Sequence, residues 1–172
     1  MAKTTFAGPV YSKSGFITTG PANTVSLTAD TTLTVATHAG KILLTNDADG
    51  KFTLPTINVD SNAEVAGSTD YNNLNNIGAS FYFYVETAAT DMDILTDGTD
   101  KFVGALWIGK DDAASKPFFP IAANDVITMN GTVKGGLVGS VIQITAIDDD
   151  KYLVLNSLLK GSGTIETPFA NA

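Results

Sequence analysis

The chain of 172 residues has no cysteine and no arginine, and His38 is its one histidine. These absences exclude disulfide frameworks, thiolate nucleophiles, zinc fingers, multi-histidine metal sites and arginine clamps on phosphate. Long apolar runs are also missing. No stretch approaches the ~20 residues of a membrane-spanning helix, and the opening MAKTTFAGPVYSKSGF has no apolar segment of signal-peptide length. A product of the cytoplasm with no membrane partner is therefore expected. Basic charge is scarce too: ten lysines face eighteen acidic residues, for a net charge of −8. Because nucleic-acid affinity comes largely from phosphate neutralisation, this balance argues against a nucleic-acid partner. With 44% hydrophobic and 16% charged residues, the chain carries enough apolar surface for one folded domain.

What is present points to strands. Threonine, glycine and asparagine are abundant, and apolar residues recur with a period of two rather than 3.6. The expected fold class is all-β, a single β-sandwich or β-barrel with an extended N-terminal arm and little helix. Strands are expected over residues 24–28, 32–36, 41–45, 51–54, 79–87, 92–96, 101–108, 125–129, 138–146 and 151–156, the last two joined through Ile147-Asp148-Asp149-Asp150 as a hairpin turn. In the clearest of them, 79–87, Phe81, Phe83 and Val85 face one way and Tyr82 and Tyr84 the other. Both faces are apolar, so both are expected to be covered. Residues 56–78 read as a long loop insertion, with Asp60-Ser61-Asn62 as a candidate N-cap for one helical turn. No internal repeat, heptad or Gly-X-Y tract is present, so no fibrous shaft is encoded.

Candidate chemical groups are few. Asp47 and Asp49, Asp91 to Asp100, and Asp148 to Asp150 invite a calcium reading, but none has the alternating donors and terminal glutamate of an EF-hand loop. Aspartate also favours turns by bonding its own backbone, and that reading suits all three; Asp91 to Asp100 is the best metal candidate of the set. His38 sits in a short connection with no marked partner, and the nucleophile-elbow, P-loop and dinucleotide motifs are absent. No catalytic residue, metal or cofactor is expected. Trp107 reads as a core or interface residue, or as a sugar-stacking platform. Pro117-Phe118-Phe119-Pro120 places two adjacent rings between prolines, which disfavours an interior strand and points to a subunit or partner contact at Phe118 and Phe119, with an internal plug as the alternative. Residues 1–20 form an arm whose large side chains, Phe6, Pro9, Val10, Tyr11 and Phe16, are too sparse for a core. The arm either adds an edge strand to its own domain, residues 21–172, or docks on a neighbouring subunit. Residues 161–172, with Pro168 and Phe169, are a second candidate tether.

Several of these segments carry a family resemblance. The opening TTFAGPVYSKSGF resembles the N-termini of small virion proteins of tailed bacteriophages, especially those of marine and cyanobacterial phages. Residues 32–57, TLTVATHAGKILLTNDADGKFTLPTI, are similar to that family's succession of threonine-rich strand, G-K, apolar strand, polar turn and strand ending in L-P, here Gly40-Lys41 and Leu54-Pro55. FYFYVET, DDDKYLVLN and GSGTIETPF have the same look. The resemblance implies a head decoration, or cement, protein: a β-rich homotrimer on the outer capsid surface that bridges the phage major capsid protein. It implies no catalytic residues. Where the family usually passes from L-P to the next strand in a few residues, Thr56 to Gly78 intervene here. A tail- or fibre-associated module that binds host-surface glycans is the alternative, and a small hydrolase using His38 or an aspartate pair is a third reading.

Overall fold

Period-two alternation gives a strand one apolar side, and that side must be buried against a second layer. In the computed structural model, which describes residues 23–59, 75–110 and 113–172, the strands form two such layers. An eight-stranded sheet runs in the order β1 (Thr24–Leu27), β3 (Ile42–Thr45), β5 (Ser80–Val85), β11 (Val141–Asp148), β12 (Lys151–Lys160), β8 (Leu106–Lys110) and β9 (Ala113–Phe118), with β7 (Lys101–Gly104) also paired to β12. A five-stranded sheet runs β13 (Phe169–Ala170), β10 (Val126–Met129), β6 (Met92–Leu95), β4 (Lys51–Thr53) and β2 (Thr31–Thr32). The expected all-β class is the class observed, in its sandwich form.

The first half of the chain is a coil. β1, β3 and β5 pair in parallel in one sheet, while β2, β4 and β6 pair in parallel in the other, so the chain crosses between layers at every step. Parallel neighbours usually need a helical crossover; here each crossover is itself a strand of the opposite sheet. Thr24 pairs with Ile42 and Ile42 with Tyr82, so the second turn is more than twice as long in sequence as the first. The segment between Asn58 and Asn76 supplies most of the excess, and Asn76 staples its base. The Asn76 N–H donates to the Asn58 carbonyl at 2.9 Å, its Oδ1 accepts the Asn58 N–H at 2.8 Å, and its Nδ2 donates to the Thr56 carbonyl at 2.9 Å. The insertion thus leaves the coil at one buried point. The candidate N-cap Asp60-Ser61-Asn62 lies outside the described residues, as do Phe6, Pro9, Val10, Tyr11 and Phe16 of the arm.

One core fills the space between the sheets. Phe52 and Phe83, from opposite layers, bring their ring centroids within 6.5 Å, and Leu43, Phe81, Ile94, Ile127 and Ile144 pack around them with no exposed surface. Several expectations are corrected. Residues 32–36 are not a strand: β2 ends at Thr32, and Thr34 caps a single helical turn, α1 (Val35–His38), by accepting the Thr37 N–H. The strand expected over 101–108 is broken at Gly104, whose φ of +97° is open to glycine. Pro117 lies inside β9, which it can do because β9 is an edge strand. The C-terminal segment does not reach outward: Pro168 is buried, and Phe169 in β13 is 6% exposed, facing Phe102 at 6.5 Å between ring centroids. The Ala172 N–H donates to Asp125 Oδ1 at 2.9 Å, so residues 169–172 close the five-stranded sheet of their own domain.

Gly104 lets β7 and β8 pair in turn with successive parts of β12. A Cβ there would stand 2.3 Å from the Val154 carbonyl oxygen, whereas one on Gly78, also at positive φ, would meet open space. Gly104→Ala is therefore expected to lower the unfolding free energy by about 3 kcal/mol or more, and Gly78→Ala by only about 1 kcal/mol. Denaturant titration checks this, and equal losses at the two positions would contradict the clash.

Candidate functional site

The chemical candidates separate in space. The His38 ring is buried at the end of α1, and its Nδ1 accepts the Thr34 N–H at 2.9 Å. Burial holds its pKa below the ordinary histidine value, against the Thr34 carbonyl oxygen 3.2 Å from Nδ1, which favours the protonated ring. The nearest hydroxyl in contact, Thr34 Oγ1 at 3.4 Å, already caps the helix. Ring and hydroxyl together close a turn.

The Asp91 to Asp100 segment disperses its carboxylates. Asp97 Oδ1 accepts the Thr99 N–H at 2.9 Å, the Thr99 hydroxyl at 2.7 Å and the Asp100 N–H at 3.1 Å, forming its own turn. Although burial opposes ionisation, the Thr99 hydroxyl and its companions hold Asp97 down to about 2. Asp100 Oδ2 accepts the Ile57 N–H at 2.9 Å. Burial pushes its pKa up to about 6, against that bond and with added repulsion from Asp97 and Asp150. Asp93 lies on the outer face of the five-stranded sheet, beside Lys51. Among the described residues, the one acidic group close enough to share an ion is Asp148, Asp149 and Asp150, all exposed. Lys151 Nζ already lies 2.9 Å from Asp148 and 2.8 Å from Asp150. These aspartates build turns.

The unusual feature is the outer face of the eight-stranded sheet. Tyr82 and Tyr84, expected to be covered, are 37% and 36% exposed. Register extends their environment across the layer. Leu44 pairs with Tyr84, Tyr84 with Val141, Val141 with Leu158, Leu158 with Trp107 and Trp107 with Pro117, so one apolar row crosses from β3 to β9. A second row joins Ile42, Tyr82, Gln143 and Leu155, and a third joins Ser80, Thr145, Leu153 and Val103. None of these residues is charged. Among the described residues, charge returns at the ends, where Glu86 and Lys160 lie beyond the first row and Lys101, Lys151 and Asp148 pair beyond the third.

A bulge makes this face continuous. Between Leu155 and Leu158 β12 spends three steps where β11 spends two, and Asn156 takes up the extra residue at φ +47°. The Ser157 hydroxyl accepts the Gln143 N–H at 3.1 Å, and Asn156 Nδ2 donates to Gln143 Oε1 at 3.0 Å. Leu155 and Leu158 consequently both point outward. A hollow on the face lies between Tyr82, Tyr84, Val141 and Asn156, and its volume of 210 Å³ falls below the ~300 Å³ at which small-molecule pockets begin. The face is a surface for something flat.

Trp107 is 49% exposed within the first row, so it is not a core residue. Phe118 and Phe119 separate: Phe118, last in β9, packs against the core, and Phe119 is 68% exposed beyond the strand. Compared with known protein families, with curated proteins and with solved structures, the chain matches none.

Asp100 offers a test of the electrostatics. Its pKa is about 6 in the folded protein and near the ordinary 3.8 when unfolded, so the folded state holds this proton longer. Its contribution to stability is then greatest below pH ~4 and is lost as pH rises through 6. Asp100→Asn, which keeps an acceptor for the Ile57 N–H, should gain stability relative to the parent protein between pH 4 and pH 7. Denaturation at both pH values reads this directly, and the same difference at each would contradict it.

Proposed function

We propose that this chain is a viral structural protein that decorates the outer surface of a tailed-phage head and stabilises the shell by bridging its major capsid proteins. The observation that carries the reading is the charge-free apolar sheet face, framed by charged ends, on a protein of net charge −8. Such a face suits assembly, while His38 is engaged at the α1 cap and Asp97 in its own turn. The resemblance of residues 4–16 and 32–57 to small phage virion proteins supplies the kind of assembly. On a lattice of identical sites, modest contacts per copy add through multivalency, and binding energy for the assembled shell adds to its stability. The arm, with Phe6, Val10, Tyr11 and Phe16, is assigned the grip on the shell.

The exposed ring of Trp107 favours a second reading, a tail- or fibre-associated module that stacks on host glycans. Copy number separates the two. Purified particles should contain hundreds of copies, and heads depleted of the protein should release their DNA at a lower temperature until it is added back. A handful of copies per particle, or no effect of add-back, would overturn the decoration role. Deleting residues 2–16 is expected to leave the sheet spectrum unchanged and to abolish head binding; parental binding by the truncated protein would remove the arm from the account.

A further inference from the structure

The geometry points to a second copy of this chain as the occupant of the apolar sheet face. This goes beyond the decoration role, which does not say where copies touch; it rests on the same sheet face and asks what covers it. The first observation is charge. Copies at −8 repel one another, so they can approach closely only where each presents no charge, and the three register rows meet that condition. A charged partner would find no opposite charge within the rows, and a rim that mixes Glu86 and Asp148 with Lys101, Lys151 and Lys160.

The second observation is area. Neighbouring strands lie ~4.8 Å apart and alternate residues ~6.8 Å apart along a strand, so each outward position covers about 33 Å² and the three rows together about 460 Å². Two such faces bury about 920 Å², just short of the ~1,000 Å² threshold and in the class of weak, reversible interfaces. The third observation is chemistry. Tyr82, Tyr84 and Trp107 belong to the residue types that dominate binding hot spots, and they stand among the flat aliphatic surfaces of Ile42, Val141 and Leu158. The charged residues at both ends, Glu86 and Lys160 on one side and Lys151 and Asp148 on the other, form the polar rim that such interfaces carry. A face that is flat and free of charge is complementary to itself, and two sheets stack at ~10 Å with their side chains interleaved.

The single tryptophan makes the test direct, because Trp107 lies within the contact and no other tryptophan contributes to the signal. The unaltered protein is followed from about 1 μM to about 1 mM, a range that spans the affinities expected of an interface near this threshold. Sedimentation should show a multiple of 17.9 kDa at the upper end. Tryptophan emission should move to longer wavelength as dilution returns the chain to a monomer. Leu158→Lys, at a position 50% exposed in the single chain, should raise the concentration needed for association at least tenfold without changing the far-ultraviolet spectrum. Ile42→Lys, on the neighbouring row, should do the same if the first variant loses its fold. Ile121→Lys, exposed but on the loop beyond β9, should associate like the parent.

A parent protein that stays at 17.9 kDa to the top of the range would overturn the inference, as would lysine variants that associate normally. Trp107 emission that ignores a change in mass would overturn it too, because the copies would then be meeting elsewhere. Head binding is scored separately: a monomer that still binds heads sinks this interface and leaves decoration standing. An associating protein that ignores heads does the reverse.

Discussion

β5 carries large apolar residues on both sides, and a two-layer protein can cover only one of them. Phe81, Phe83 and Val85 meet the five-stranded sheet and are at most 2% exposed, while Tyr82 and Tyr84 face outward in the middle of the eight-stranded sheet. The neighbouring strands repeat the pattern, with Ile142 and Ile144 inside on β11 against Val141 outside, and Leu159 inside on β12 against Leu158 outside. An isolated outward leucine would be unremarkable on any soluble protein. A row of them in register across the layer is the surface that assembled proteins hide. Among the described residues, the chain has thus satisfied its own core and left a second, flatter apolar layer exposed.

The coil explains how so small a chain presents so broad a layer. Because β1, β3 and β5 lie side by side while their crossovers build the opposite sheet, every turn of the chain widens both layers by one strand. The hairpin of β11 and β12 then widens the larger sheet from three strands to five, and the bulge at Asn156 keeps its outward residues in phase. The 58–76 insertion adds length without disturbing this order, since Asn76 returns the chain to the point from which it left. The outer face of the smaller sheet differs in kind: Lys51, Asp91, Asp93 and Thr128 give it charge and hydrogen-bonding groups suited to water.

Much of the strand pattern was legible in the sequence, because a period of two is a local signal, and burial alternates along β3, β5 and β6 as it requires. What escaped it depends on distant residues. β12 continues past Asn156 only because a bulge against β11 absorbs a break in alternation, and β13 exists only because β10 offers Phe169 a partner. α1 is a single turn decided by the Thr34 cap, in a stretch whose threonines and valine favour a strand. The same distinction applies to the site. Tyr82 and Tyr84 were recognisable as a second apolar face, but alignment of Tyr84 with Val141, Leu158 and Trp107 is a matter of register, which no single strand reveals. The separation of Phe118 from Phe119 was hidden for a related reason. Adjacent residues at a strand end point to opposite sides, so one ring joined the core and the other entered solvent.

The central claim is that the outer face of the eight-stranded sheet is covered when this protein is at work. Hydroxyl-radical footprinting read by mass spectrometry addresses it ring by ring, comparing concentrated protein with protein diluted to the monomer. Tyr82, Tyr84 and Trp107 should lose reactivity together in the concentrated sample, while Phe119, outside the face, keeps its own. Equal labelling of those three rings at both concentrations, in a sample whose mass shows association, would place the contact on another surface and contradict the account.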